Sequence, residues 1–214
     1  MKKILVTGAA GSIGRWVLKY LLSEGKYEIT AVDLKNKQSL KKLKRYHKRI
    51  NVVYGDVEDQ VLMDALIKDH DYVIHLAGIM PPLCNLSKSF GENIDYKGTE
   101  NIVRSISFYN PECFLIFPST TSIYESKTSE VASNSKELIN ESDYYSLTKD
   151  KCEKLIKEKL KNYVIFRIPF VLGEFDSDKS IYLYKKDEEV EVISNRDAAY
   201  ALTKTIEYKK FISF

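Results

Sequence analysis

The sequence predicts a doubly wound, three-layer α/β fold: a parallel sheet covered by helices on both faces. Three observations carry this reading. Strand-like and helix-like segments alternate along the 214 residues, and neighbouring parallel strands need crossover helices between them. Segments such as Asp71 to Ala77 (DYVIHLA) and Cys113 to Pro118 (CFLIFP) are nearly unbroken apolar runs, as strands covered on both faces require. A glycine-rich turn stands between the first strand and the first helix.

The elements follow in order. Lys3 to Thr7 is a β-rich run ended by a glycine. Ile13 to Ser23 carries Ile13, Trp16, Val17, Tyr20 and Leu21 at helical spacing. Glu28 to Asp33 (EITAVD) is the second strand, Ser39 to Lys48 a basic helix, and Asn51 to Tyr54 the third strand. Val61 to Lys68 reads as a helix, with Asp56, Glu58 and Asp59 as cap candidates near its start. DYVIHLA is the fourth strand, and a long helix is expected from about Phe90 to Tyr109. CFLIFP is the fifth strand, Tyr144 to Leu160 a helix with Asp143 as cap, and Tyr163 to Ile168 (YVIFRI) the sixth strand. The stretch Glu125 to Ser142 reads as a polar loop over the sheet edge, and Asp197 to Tyr208 as a last helix.

Composition bounds the function. Apolar residues make up 44% of the chain, enough for the core of one domain over residues 1–214. The formal net charge of +3 argues against a protein built around nucleic-acid neutralisation. The basic run Lys41, Lys42, Lys44, Arg45, Lys48, Arg49 has no aromatic platform and reads as a solvated face. No apolar run approaches the roughly 20 residues that span a bilayer. The run after Met1-Lys2-Lys3 is only Ile4-Leu5-Val6, too short for a signal peptide's apolar core. A soluble cytoplasmic chain is expected. The cysteines Cys84, Cys113 and Cys152 form no CxxC, and with only His47, His70 and His75 no metal site is expected.

Two constellations point to chemistry. In Thr7-Gly8-Ala9-Ala10-Gly11-Ser12-Ile13-Gly14, Gly8 suits a tight turn, Gly11 a close approach of pyrophosphate, and Gly14 the packing of helix on strand. The strand before it and the helix after it are the context such a phosphate cradle needs. Asp33 lies 19 residues after Gly14. A carboxylate there can accept bonds from a ribose and repels a 2′-phosphate, so NAD is favoured over NADP despite the nearby Arg15, Lys35 and Lys37. Tyr145 and Lys149 stand four apart at the start of a helix and share a face. A phenol of pKa about 10 is a poor base at neutral pH, and an adjacent ammonium favours the phenolate.

From these residues the chain resembles the extended short-chain dehydrogenase/reductases, the NAD-dependent epimerase/dehydratase group, over about Met1 to Gly173. TGAAGSIG is similar to the family's TGxxGxxG, and Asp33 to its NAD-selecting acid. Gly55-Asp56-Val57 is similar to its adenine-contacting segment, and His75-Leu76-Ala77-Gly78 to its strand-four signature. Asn93 with Gly98-Thr99-Glu100-Asn101 looks like NxxGTxN, Ser119 to Tyr124 like SS/TxxVYG, Tyr145 to Lys149 like YxxxK, and Arg167 to Gly173 like RxxxVYG.

The resemblance implies a Rossmann-type sheet and NAD as cofactor. Gly8, Gly11, Ser12, Ile13, Gly14, Asp33, Asp56, Val57, Leu76, Ala77, Gly78, Tyr145 and Lys149 would line the cofactor. It implies Tyr145 as catalytic acid/base, Lys149 as its activator, Asn93 as a further catalytic residue, and Thr120, with Ser119 as runner-up, at the substrate hydroxyl. His75 reads instead as a satisfied core or pocket-lining residue. The implied activity is epimerisation or oxidoreduction at a sugar hydroxyl or keto carbon, on a nucleotide sugar, in a homodimer built on the two long helices. Thr121-Ser122 stand where family dehydratases carry Asp-Glu, which disfavours dehydration. Residues from about 170 to 214 leave room for only a small substrate lobe, with Ile193 to Ala201 similar to a late family helix. The alternative is a non-catalytic NAD-binding sensor of the same fold.

Overall fold

The computed structural model describes residues 1–80, 84, 92–124, 143–173 and 191–208, without the side chains of Glu92 and Asn93. Six strands, β1 (Lys2–Thr7), β2 (Tyr27–Asp33), β3 (Asn51–Tyr54), β4 (Tyr72–His75), β5 (Phe114–Thr120) and β6 (Tyr163–Ile168), form one sheet in the order β3-β2-β1-β4-β5-β6. All its pairings are parallel. The chain steps outward from β1 to β3, crosses back to β4 beside β1, and then steps the other way. The order reverses between β1 and β4, the place where doubly wound sheets bind their ligands.

The helices are α1 (Ser12–Glu24), α2 (Lys37–Leu43) running into a 3-10 turn (Lys44–Tyr46), α3 (Gln60–Ile67), a π-helical turn (Glu92–Tyr96) leading into α4 (Lys97–Tyr109), α5 (Tyr144–Lys159) and α6 (Asn195–Tyr208). Alternation along the strands divides them between two cores. Ile4 and Val6 of β1, Tyr72 and Ile74 of β4, and Phe114 and Ile116 of β5 pack with Val17, Leu18 and Leu21 of α1 and Leu202 and Ile206 of α6. Leu5, Val73, Leu115 and Phe117 turn to the other face, with Met63 and Ile67 of α3, Ile102 and Ile106 of α4, and Ile156 of α5. Each fully buried Leu, Ile or Phe contributes about 1.5–3 kcal/mol. Among the described residues no helix is long and apolar enough to cross a membrane.

Side-chain caps fix the helix starts. Asn36 accepts from the Gln38 and Ser39 amides. Of the three candidates before α3, Asp59 is the cap, accepting from Leu62 N–H at 3.0 Å. Asp143 caps α5 through the Ser146 amide. Several boundaries differ from expectation. The fourth strand ends at His75, because the Ala77 amide bonds the side-chain hydroxyl of Thr7 on β1 rather than a backbone carbonyl of a neighbouring strand. The helix expected from Phe90 begins at Lys97, behind the π-helical turn. The basic helix is cut short at Leu43, where the chain tightens to bury Tyr46. A two-stranded parallel pair, β7 (Phe170–Leu172) and β8 (Val192–Ser194), was not anticipated. The loop expected over Glu125 to Ser142 lies outside the described residues.

Candidate active site

The glycine turn sits where β1 leaves the sheet. Gly8 has φ +63°, and a Cβ there would come within 2.6 Å of the Leu76 and Ala77 backbone. Only glycine lets the turn lie against the exit of β4. A Cβ on Gly14 would stand 2.5 Å from the Gly8 carbonyl oxygen and 2.8 Å from Ala9. Gly14 is therefore required by the turn itself, rather than by the strand packing expected. The Gly11 N–H closes the turn on the Gly8 oxygen at 3.0 Å. Gly11 supplies no side-chain cap to α1, so the first amides of that helix present a positive end suited to a phosphate. Ile13 packs against the core on the α1 face. Ser12 Oγ accepts a bond from Asn195 Nδ2 at 2.8 Å, which fastens this end of α1 to the start of α6.

Asp33 ends β2 facing that turn. Its Oδ2 accepts the Ala10 N–H at 2.8 Å and its Oδ1 the Ser39 hydroxyl at 2.7 Å. Each oxygen keeps a lone pair for a further donor. Asp56 spends an oxygen on the Glu58 amide at 3.0 Å. The buried Val57 gives its carbonyl to Asn101 at 3.1 Å.

His75, at the end of β4, is buried inside a closed hydrogen-bond chain. The Thr99 hydroxyl donates to the Asp95 carbonyl at 2.7 Å, so it accepts from His75 Nε2–H at 3.2 Å. Nδ1 then accepts from the Thr7 hydroxyl at 2.7 Å, which in turn receives the Ala77 amide at 3.2 Å. Every member is satisfied with a neutral ring. Burial, with Lys149 adding to it, pushes the imidazole down to about 3. Of the two expected alternatives, His75 is thus the satisfied core histidine, with both ring nitrogens bonded.

Tyr145 and Lys149 project from the first turns of α5. Lys149 is buried, with Nζ 4.8 Å from the Phe117 ring centroid and 5.7 Å from that of Tyr145. The Tyr145 hydroxyl reaches Met80 Sδ at 3.6 Å. Burial pushes the Tyr145 phenol above its ordinary value, while the Lys149 ammonium pulls it down. Burial disfavours the Lys149 charge, but Tyr145 and Asp95 outweigh it, and the amine titrates above its usual range.

Thr120 ends β5 and is buried; its hydroxyl donates to Ser122 Oγ and accepts the Ser122 amide, both at 3.1 Å. Ser119 beside it is buried as well. The Asn93 side chain lies outside the described residues. Sequence reasoning missed Asp95, which the structure brings to this site. Its Oδ1 accepts the Ile79 amide at 2.7 Å, and a Cβ on Gly78 would stand 3.0 Å from that oxygen. The NxxG spacing counted back from Gly98 leads to Asp95 rather than to Asn93. Also missed was the pair that ties β6 to α5. Arg167 donates through Nε and Nη2 to the two oxygens of the buried Glu153, at 3.0 and 2.8 Å, and its guanidinium lies 4.5 Å over the Tyr124 ring.

The NAD dependent epimerase/dehydratase family matches residues 4–202. UDP-glucose 4-epimerase of Yersinia enterocolitica is 32% identical over 136 residues, covering 56% of this chain and 38% of that protein. UDP-N-acetyl-alpha-D-glucosaminuronate decarboxylase of Bacillus cytotoxicus is 31% identical over 125 residues, covering 58% and 38%. The chain thus spans little more than a third of the length of these curated relatives. The crystal structure of UDP-glucuronic acid 4-epimerase from Bacillus cereus, in complex with UDP-glucuronic acid and NAD, matches with a TM-score of 0.82 at 21% identity. The match covers 96% of this chain and 73% of that one, and the likeness is one of fold.

Proposed function

The chain belongs to the NAD dependent epimerase/dehydratase family, and from that premise we propose that it is an NAD-dependent epimerase or oxidoreductase acting on the hydroxyl or keto carbon of a nucleotide sugar. One observation carries the reading: the glycine turn, which a single Cβ would fill, lies against the exit of β4 at Leu76 and Ala77, and the segment that follows brings Met80 to the hydroxyl of Tyr145, four residues before Lys149. The residues fit the cofactor. The amides after Gly11 would hold the pyrophosphate, Asp33 a ribose, and Lys149 the second ribose. Hydride acceptance and return is the chemistry NAD supplies when bound.

The remaining work falls to this chain's own groups. Thr120 would orient the sugar hydroxyl. Tyr145 Oη would take its proton and give it back, with the Lys149 ammonium stabilising the phenolate while it exists. Thr121 and Ser122 offer no carboxylate for eliminating water, so dehydration is the weaker reading. The same proposal treats residues 1–214 as one nucleotide-binding domain whose stretch from about 170 is a small substrate lobe. It also includes a cytoplasmic setting and a homodimer through α4 and α5.

Thermal unfolding with NAD, NADP and a panel of UDP-, GDP- and dTDP-sugars tests this. A ligand that binds only the folded state raises the midpoint. The expected result is a rise with NAD, a further rise with one sugar, and turnover of that sugar that Tyr145→Phe abolishes while keeping the NAD rise. No rise with either dinucleotide would overturn the cofactor reading. A rise with NAD alone, unchanged by Tyr145→Phe and without turnover, would favour the non-catalytic sensor.

A further inference from the structure

The connection from β2 to β3 carries a charge that nothing near it in sequence offsets. Between Asp33 and Asp56 the chain has six lysines, two arginines and no acid. The remainder holds 25 basic residues against 30 acidic ones and is net negative. Seven of the eight basic residues are exposed. None of the eight forms an ion pair among the described residues. Lys37, Leu40, Lys41 and Lys44 fall at helical spacing on one face of α2 and the turn after it. Leu34 and Leu40 stand among the lysines, 50% and 42% exposed. Like charges gathered in this way repel one another and destabilise the compact state. Solvation leaves that repulsion in place, whereas an anionic partner removes it.

The same layer of the molecule continues the pattern. Leu43 and Tyr46 share one core with α1 and α6, so the basic segment belongs to the helical layer those two helices form. There the exposed Lys19 places Nζ 4.2 Å from the Trp16 ring centroid, and the exposed Arg196 places its guanidinium at 4.9 Å. Tyr20 meets the exposed Tyr200 edge-on at 5.7 Å. Tryptophan and tyrosine beside lysine and arginine are what surfaces lying in a bilayer interface are made of. A nucleic-acid strand is the weaker fit, because it stacks its bases on free aromatic faces. Tyr46 is buried, and cations already lie over Trp16.

We propose that the layer of α1, α2 and α6 docks onto an anionic lipid surface, with the segment from Lys35 to Arg49 as its electrostatic anchor. That segment leads into β3, the terminal strand of the sheet, so the anchor lies at the rim of the sheet. The lysines meet the headgroup phosphates, and Leu34 and Leu40 enter between them. Docking is peripheral and is the sum of many weak contacts. Each lysine or arginine within a Debye length of the lipid raises the partition about fivefold. α5, which carries Tyr145 and Lys149, packs on the opposite face of the sheet, so docking leaves that side uncovered.

The full chain is sedimented with vesicles of phosphatidylcholine alone and of phosphatidylcholine with one quarter phosphatidylglycerol. The expected result is capture by the second and not by the first, with release at about 1 M salt, where the Debye length falls to about 3 Å. Lys41→Gln, Lys44→Gln and Lys48→Gln combined should weaken the capture about a hundredfold, at about fivefold for each charge, while the circular dichroism spectrum stays that of the natural chain. Should that variant not fold, Lys48→Gln with Arg49→Gln is read in the same way, with a loss of about 25-fold. Equal capture by the neutral vesicles, no capture by either, or a variant captured as well as the natural chain would overturn the proposal. So would a labelled single-stranded or duplex DNA bound more tightly than the anionic vesicles at equal phosphate concentration, which would make nucleic acid the partner. Because neither cofactor nor sugar is present, a failure here is distinct from a failure of the catalytic reading.

Discussion

Glu153 is 1% exposed, and its two oxygens take up the guanidinium of Arg167 and the ammonium of Lys157, the latter at 3.0 Å. Together with the Arg167 contact on Tyr124, this holds the segment after Thr120 against α5. Arg167→Ala strands most of a buried charge and is expected to destabilise the fold by about 3 kcal/mol. That is the lower end for broken buried pairs, because Lys157 stays. Urea unfolding reads the loss, and Glu153→Gln added to Arg167→Ala should restore part of it. The histidines set a pH limit. Folding holds His75 neutral down to about 3, and burial lowers His70 from the ordinary 6.5. The unfolded chain therefore binds more protons below about pH 6.5, and stability falls as pH drops from there toward 3. Each buried histidine contributes up to about 1.4 kcal/mol per pH unit. The urea midpoint is expected to fall from pH 7 to pH 5, with a shallower slope in His75→Gln; equal slopes would contradict this. The glycine turn and the Tyr145–Lys149 pair were legible in the sequence because each is a short local pattern. Asp95 was not: its place depends on the π-helical turn, and the amide side chain of Asn93 drew the assignment two positions away.

At the scale of elements, the strands were legible because both faces are buried and alternate residues feed separate cores. β7 and β8, three residues each, are too short to leave a pattern. The end of β4 was misjudged because Thr7, a side chain from another strand, replaces the ladder bond there. Nothing local marks the packing of α1 against α6, which brings Asn195 to Ser12 across 183 positions. That bond braces the first turn of α1. Asn195→Ala is expected to leave the fold in place and to weaken NAD binding about fivefold, the worth of one hydrogen bond of about 1 kcal/mol. Calorimetric titration measures it, and unchanged affinity would show that the brace is dispensable.

At the scale of the whole molecule, the two cores share one sheet, and adjacent residues of the same strand belong to opposite cores. Neither core can loosen without exposing the back of the other. The chain carries one tryptophan, Trp16 of α1, packed against the core on the α1 face. Its fluorescence reports that side, whereas far-ultraviolet circular dichroism reports all the helices. The two urea transitions are expected to coincide, as for a single cooperative unit. A fluorescence transition that runs ahead would mean that the α1 and α6 layer separates first.

The α1–α6 contact also bears on synthesis. The ribosome delivers the glycine turn roughly 180 residues before α6, at a pace of about 5–20 residues per second. For that interval the nascent chain holds the complete phosphate-cradle sequence, while the face of α1 that α6 will cover stays open to water or to chaperones. The phosphate cradle is thus made well before the helix that braces it.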